Sequence, residues 1–586
     1  MKKTFLLFFL VILTACSVTS KSRQSRDWKK DSLKLSRNFA NSYGALYPEY
    51  VSNYGFPIFN SKATPFSKDL DNLTYAHAYR WKNRLERFLE VEKNPDLRTD
   101  VKILLDFQNL EMEKIELDRE LGVVPFLSIS EHVVENLRKL IRKNSSKVEM
   151  NAGMARFRDY VRGEKNKLPL VDGFTSYMLY RMKYLADNRK VGVWPAKTEV
   201  ETYLKYSDEF FQDLHRILSL WPGDEWKRDF EEFKLQDANY RDFLKRKVLP
   251  YARTKTSIHP KLYAFQLKES GTFKTPQELI EIGEADYDSN YKVFRELAKK
   301  VAAKYNLPDV KPQSVINFLK SRKITSEEEL LDCYKKESDY LFSIVRQKEL
   351  FSIEKKPDLE VRFAFKSEMS SMASPHFMAS PPKSKIRAQF VIPRLTGPGS
   401  TDDYAYRESV VNLVAHEAIP GHAVQFSIMK ERGTTLIRSW FAENSANTEG
   451  WGLYAEHIMF PHIDDDLKFV FMQRKLWRIA RTFLDPQLNL GKITRKRVIE
   501  VYVEELGFIE SFAETEFKRY NYIMPGQAPS YYYGLKSLLE TKKQVKEKLK
   551  EKFSEKCFND AVLDLGLMPL AEINSRLVKD LNCAGE

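Results

Sequence analysis

Residues 73–117 read LTYAHAYRWKNRLERFLEVEKNPDLRTDVKILLDFQNLEMEKIEL. Apolar side chains return at spacings of three and four, as in Leu85, Phe88 and Leu89 and again in Leu97, Val101 and Leu104, with Lys, Arg and Glu between them. That is the period of a helix with one buried face. The same rhythm recurs at 133–141, 204–220, 287–301, 327–344, 467–483 and 498–517. Thr275-Pro276-Gln277-Glu278 adds a start signal: a capping hydroxyl, a first-turn proline and an acid at the positive end of the dipole. One stretch changes period. From Ile386 to Ile392, Ile386, Ala388, Phe390 and Ile392 alternate with Arg387, Gln389 and Val391, and Pro393 follows. This predicts a strand that ends at an edge or exit, preceded by a turn at Ser380-Pro381-Pro382-Lys383-Ser384. The fold expected is mainly α, large, with a small β-sheet near the active-site helix. No repeat of fixed period occurs.

The chain has 586 residues, 43% hydrophobic and 30% charged, which excludes collagen-like, low-complexity and disordered classes. Length alone suggests roughly four domains, yet no Gly/Ser/Pro-rich linker divides them. The expected organisation is a helical N-terminal part at 41–270 and a catalytic part at 271–586, within one continuous unit from about 30 to 580. Lys and Arg number 95 against 81 Asp and Glu, a net +14. The excess is interleaved with acid along the chain rather than clustered, so it reads as a solvated surface and not as a nucleic-acid footprint.

Lys2-Lys3, the apolar run Phe5 to Leu13 and Thr14-Ala15-Cys16 form a secretory signal, too short to span a bilayer. Leu13-Thr14-Ala15-Cys16 resembles a lipobox, which implies cleavage after residue 15 and a lipid on Cys16; an ordinary signal peptide with an incidental cysteine is the alternative. Residues 16–40 would form a tether. Ser17 resembles the outer-membrane sorting pattern of a Gram-negative host. The expected location is therefore exported and lipid-anchored to the cell envelope. Apart from Cys16 the cysteines are Cys333, Cys557 and Cys583, too few for a disulfide scaffold, although Cys557 and Cys583 could pair after export. No later segment has eighteen consecutive apolar residues.

The chemistry lies in His416-Glu417-Ala418-Ile419-Pro420-Gly421-His422, which follows Val411, Leu413 and Val414 on what should be a buried helix. A zinc helix needs its second His four residues on, on the same face. That place is held by Pro420. His422 stands six residues on, about 240° around an undistorted helix and on the wrong face. A kink at Pro420-Gly421 could return it; without one the site loses a ligand. Downstream, Thr448-Glu449-Gly450-Trp451-Gly452-Leu453-Tyr454-Ala455-Glu456 reads as a second helix with Glu449 and Glu456 on one face. His416, His422 and Glu449 would leave an open zinc position, as hydrolytic sites do, with Glu417 as general base. The bland reading is a buried His-Glu pair and an unrelated surface Glu.

HEAIPGH followed by TEGWGLYAE resembles the bacterial family called domain of unknown function 885, many of whose members are exported lipoproteins. Other matching segments are Thr275 to Leu279 with Ile282-Gly283, Ser380-Pro381-Pro382, Arg481 with Asp485, and Met524-Pro525-Gly526-Gln527-Ala528. The family is distantly similar to helical gluzincin metallopeptidases of the carboxypeptidase Taq and thimet oligopeptidase type. The resemblance implies a metallopeptidase-like fold, zinc held by His416, His422 and Glu449, Glu417 as base, and Glu456 behind the ligands, orienting one of them. It also places Tyr531, in the segment Pro525 to Gly534, as the donor to the oxyanion; three adjacent tyrosines could equally be aromatic core. Two departures stand out. Ala423 occupies a position where many relatives carry a second His, and Asn489 one where they commonly carry His.

The function these readings point to is an envelope-anchored zinc-dependent peptidase acting on peptide substrates, with an edge strand at Ile386 to Ile392 available to bind a peptide backbone. The alternatives are a metal-free lipoprotein that binds peptides or partners, and a metal-dependent hydrolase of a non-peptide amide or ester. A serine nucleophile is disfavoured because no GxSxG elbow is present.

Overall fold

A computed structural model describes residues 27–583 except 164–166, 366–367, 370–373, 381–386 and 396–401. The signal segment and Cys16, together with Pro381, Pro382 and Ile386, lie outside the described residues. The amphipathic run at 73–117 is two helices, Leu70–Val91 (α1) and Pro95–Leu121 (α2). The break has a local cause. The Asn94 side chain accepts hydrogen bonds from Asp96 N and Leu97 N, Pro95 takes the first helical position, and Gly122 closes α2 with φ +64°. Likewise Thr275 and Glu278 form a capping box that starts Pro276–Lys304 (α3).

The helices around the candidate site are Glu327–Gln347 (α4), Arg407–Glu417 (α5), His422–Glu431 (α6), Ser445–Met459 (α7), Asp465–Asn489 (α8), Glu510–Lys518 (α9) and Ser530–Leu549 (α10). The run at 498–517 is not one helix. It is interrupted before α9, where Gly507 turns with φ +74°. α8 is buried on nearly every face and lies along α3, while α7 lies along α10. That second pairing is close because two glycines meet. A Cβ on Gly450 would sit 2.7 Å from Gly534 Cα, and one on Gly534 would sit 2.0 Å from Ala446 O.

The sheet has three strands, Leu359–Phe363 (β1), His376–Met378 (β2) and Ala388–Ile392 (β3), in the order β1-β3-β2. β3 pairs parallel with β1 and antiparallel with β2. The strand read at Ile386 to Ile392 is thus central, not an edge. Both its sides are hydrogen-bonded, and Phe390, Val391 and Ile392 are fully buried. The edge that faces the site belongs to β2, whose three residues are too short a run to show a period in the sequence.

One large apolar core gathers residues from Leu35 to Leu577, including Phe39, Trp81 and Leu104 beside Trp451, Leu476 and Leu535. A second occupies 63–248. Cys557 and Cys583 form a disulfide. Among the described residues no helix is long and apolar enough to cross a membrane.

Candidate metal centre

The helix that carries His416 does not continue. α5 ends at Glu417, the chain turns through Ala418–Gly421, and α6 begins at His422. Ala418 N and Ile419 N both donate to Val414 O, at 2.9 and 2.8 Å, and the second bond, spanning five residues, closes α5 in a widened last turn. The turn passes so near the end of α5 that a Cβ on Gly421 would lie 1.7 Å from His416 O. Trp451 Nε1 on α7 donates to Pro420 O at 3.1 Å and holds the turn down. Because the helix is broken rather than bent, the 240° argument no longer applies. The His416 and His422 rings stand 4.9 Å apart and nearly perpendicular.

α7 brings the third group. Glu449 Oε2 lies 3.2 Å from His416 Nε2 and 3.5 Å from His422 Nε2. One donor atom from each of the three residues lies within 4.8 Å of the others. The approach depends on Gly452, since a Cβ there would meet His416 Cε1 at 2.5 Å and Nε2 at 2.8 Å. Glu456, two turns after Glu449, accepts from His416 Nδ1 at 2.8 Å. Its other oxygen accepts from Asn412 Nδ2 at 2.7 Å, and Arg478 lies 4.0 Å away. With Nδ1 so engaged, the free lone pair of His416 is on Nε2, facing Glu449.

Electrostatics follow the same geometry. Burial alone would lower His416, but the Glu449 and Glu456 carboxylates override it and raise the imidazole to about 9. Burial opposes ionisation of Glu449, yet His416 and His422 hold it well below the usual carboxylate range. Glu456 is lowered too, by His416 and Arg478 acting against its burial. Two imidazole nitrogens and a carboxylate oxygen are a three-ligand zinc donor set. His422 Nδ1, moreover, is buried without a hydrogen-bond partner. A divalent cation fits this cluster.

Glu417 stands beside it, and Phe377 N of β2 donates to its Oε2 at 2.9 Å. Tyr531, on the first turn of α10, lies parallel to the His416 ring with centroids 6.2 Å apart. Arg481 sits 4.5 Å from the Tyr531 ring, and Arg519 Nη2 approaches its hydroxyl at 3.4 Å. Burial and the Glu449 charge raise the Tyr531 phenol, so it keeps its proton. Tyr532 faces elsewhere, donating to Asp286 Oδ2 at 3.0 Å. The three tyrosines are therefore not equivalent.

Asn489 donates to Asp485 Oδ1 at 3.0 Å and to Tyr520 O at 3.0 Å. Asp485 also accepts from Tyr263 Oη and Gly526 N. These bonds tie α8 to the 524–528 segment, and Asn489 acts as a brace. Ala423 lines a cavity that also takes in Phe377, Phe426 and Trp440, and the three donors converge without it.

Phe377, Asn412, Arg474 and Arg478 escaped sequence reasoning. Phe377 acts through its backbone and has no side-chain signature. Asn412 had a signal, standing four residues before His416 and so on its face. Arg474 and Arg478 extend Arg481, Asp485 and Asn489 into a buried polar stripe at spacings of three and four along α8, which a periodicity search for polar residues would find.

The sequence profile described as a bacterial protein of unknown function (DUF885) matches residues 48–577. The chain belongs to the DUF885 family. No curated protein matches it. Among solved structures, this DUF885 chain is similar to a candidate lipoprotein from Colwellia psychrerythraea, with 17% identity, a TM-score of 0.74, and coverage of 94% of this chain and 98% of the other. It is also similar to a candidate lipoprotein of unknown function from Shewanella oneidensis, with 18% identity, a TM-score of 0.67, and coverage of 94% and 99%. At these identities the likeness shows a common fold. A candidate oligoendopeptidase F from Bacillus anthracis aligns over 87% of this chain and 93% of its own at 10% identity and a TM-score of 0.29, a likeness that carries no argument.

Proposed function

We propose that this DUF885 chain is an envelope-anchored zinc-dependent peptidase. The observation that carries the reading is the carboxylate of Glu417 placed beside a converging pair of histidines and a glutamate. When bound, zinc supplies Lewis-acid activation of water and of the scissile carbonyl. His416, His422 and Glu449 would hold it, and Glu456 would keep the His416 ring oriented. Glu417 would take the proton from the attacking water and pass it to the leaving amine, and the amide of Phe377 steadies that carboxylate. The Tyr531 phenol would donate to the oxyanion. In a strand, N–H and C=O of one residue point to the same side. Phe377 N–H reaches Glu417 rather than β3, so its carbonyl also faces outward, where an extended substrate backbone can pair.

The lipobox at Leu13 to Cys16 and the lipoprotein descriptions of both structural relatives support attachment through a lipid on Cys16. Ser17 favours the outer membrane of a Gram-negative host. Metal analysis and peptide turnover test the centre together. Glu417→Gln should keep full metal and lose nearly all turnover, because it removes the base and no ligand. His422→Ala should lose the metal. Full metal in His422→Ala, or full turnover in Glu417→Gln, overturns the reading.

A further inference from the structure

A cavity of about 660 Å³ is lined by Phe377 of β2 and by Ala423. Its floor holds three aromatic rings, Phe377, Phe426 and Trp440, and the first of them borders the metal cluster. The Phe377 ring lies 6.1 Å from His422 and 5.5 Å from Phe426, and Phe426 lies 6.4 Å from Trp440. Ala423, the residue after His422, lines it with a methyl group and so leaves it open. β2 borders it, since Phe377 holds Glu417 through its amide and lines the cavity with its side chain, and Ser380, two residues past the strand, lines it too. The rim has a different character. Five cationic side chains, Lys29, Lys355 and Arg387 among them, face two carboxylates, Asp358 and Glu431. Asp358 is already paired with Arg387 at 2.7 Å, Lys356 is paired with Asp339 outside the cavity, and Glu431 accepts from Ser427 Oγ at 3.0 Å. The chain's surface charge is otherwise evenly mixed. Here a positive excess surrounds a concave apolar floor, an arrangement that focuses potential on an anion entering it.

We infer that this cavity is a specificity subsite that takes a large apolar side chain together with an adjacent carboxylate of the substrate. That carboxylate is a chain terminus or an Asp or Glu side chain. For turnover the inference rests on the peptidase reading; for binding it does not. The floor supplies affinity by burying an aromatic or long aliphatic group, while the rim selects for charge and should weaken with salt.

The test uses the full mature chain and calorimetric titration with three probes: N-acetyl-Leu-Phe, its C-terminal amide, and N-acetyl-Glu-Phe amide. Titrations are run as purified and again after chelation, so that a carboxylate binding directly to metal is not mistaken for the rim. With metal removed, at least one acidic probe should bind about five- to tenfold tighter than the neutral amide, the worth of one or two rim contacts. Whichever acidic probe shows the preference identifies the source of the carboxylate. Exchanging both Lys355→Glu and Arg387→Gln should bring that ratio near one; because Arg387→Gln gives up the ion pair with Asp358, a circular-dichroism melt of the double variant checks that the fold is kept. Trp440→Ala should weaken all three probes. Equal binding of the three probes, no binding of any, or a preference untouched by the double exchange overturns the inference. Turnover of the same peptides separates the two claims. Preference without turnover by the zinc-loaded protein sinks the peptidase reading and keeps the subsite, whereas turnover without preference does the reverse.

Discussion

Tyr531 is set by three neighbours: the His416 ring it lies along, the Arg481 guanidinium against its face, and Arg519 at its hydroxyl. A phenol so placed is poised to donate and is unable to wander. Tyr531→Phe should lower kcat about 10²–10³-fold, the usual cost of one oxyanion donor, with metal content unchanged. Steady-state kinetics beside metal analysis checks this. Tyr532→Phe, which removes only the bond to Asp286, should cost about 1 kcal/mol of stability and little activity. A fully active Tyr531→Phe protein would place the donor elsewhere. In the sequence only the family resemblance favoured Tyr531; composition and spacing left the three tyrosines alike, because they share one first turn and the partners of their side chains separate them.

At the scale of elements, the centre is an assembly of α5, a break, α6 and α7, and α7 meets the His416 imidazole at Gly452. A larger side chain there must displace either that ring or α7. Gly452→Val should therefore reduce metal affinity about 10–100-fold, the range seen when a ligand's supporting shell is disturbed, while far-ultraviolet circular dichroism changes little. Metal titration decides it, and unchanged affinity would mean that α7 can shift without moving Glu449. The motif spacing was misleading on one point. Six residues correspond to the wrong face only if the helix continues, and Pro420-Gly421 ends it.

The whole molecule braces this site from behind. Arg481 of α8 makes two hydrogen bonds, at 2.7 and 2.8 Å, with Glu516 of α9, which also accepts from Trp477 Nε1 at 2.9 Å. Burial opposes ionisation of Glu516, but Arg481 wins and lowers it from 4.5 to about 2. A depressed carboxylate stabilises the fold above its unfolded value, and that contribution is lost as pH falls from about 4.5 toward 2. The shift corresponds to about 3 kcal/mol. Denaturant melts of wild type should therefore fall steeply across that window. Glu516→Gln should be less stable at pH 7 and show a flatter acid limb; an unchanged acid limb would put the linkage on other groups. At the other end of the chain, Cys16→Ser should abolish incorporation of labelled fatty acid and sedimentation with membranes. Unchanged labelling would remove the lipid anchor from the proposal.

Helical class, the helix start at Thr275, and the chemistry of HEAIPGH with TEGWGLYAE were legible in the sequence, whereas the break at Asn94 inside the 73–117 run was not. The legible features rest on period, capping and side-chain type, which act within a few residues. Glu449 and Glu456 shared a face by spacing alone, and the structure adds that one meets His416 Nε2 and the other its Nδ1. What spacing could not decide was whether His422 returns, which strand forms the edge, and which tyrosine faces the centre. Each depends on where a second element packs: Trp451 pinning the broken turn, β2 covering β3, and the Gly450–Gly534 contact drawing α10 onto α7. Contacts between residues tens or hundreds of positions apart leave no periodic trace in the chain, so only the tertiary structure could settle them.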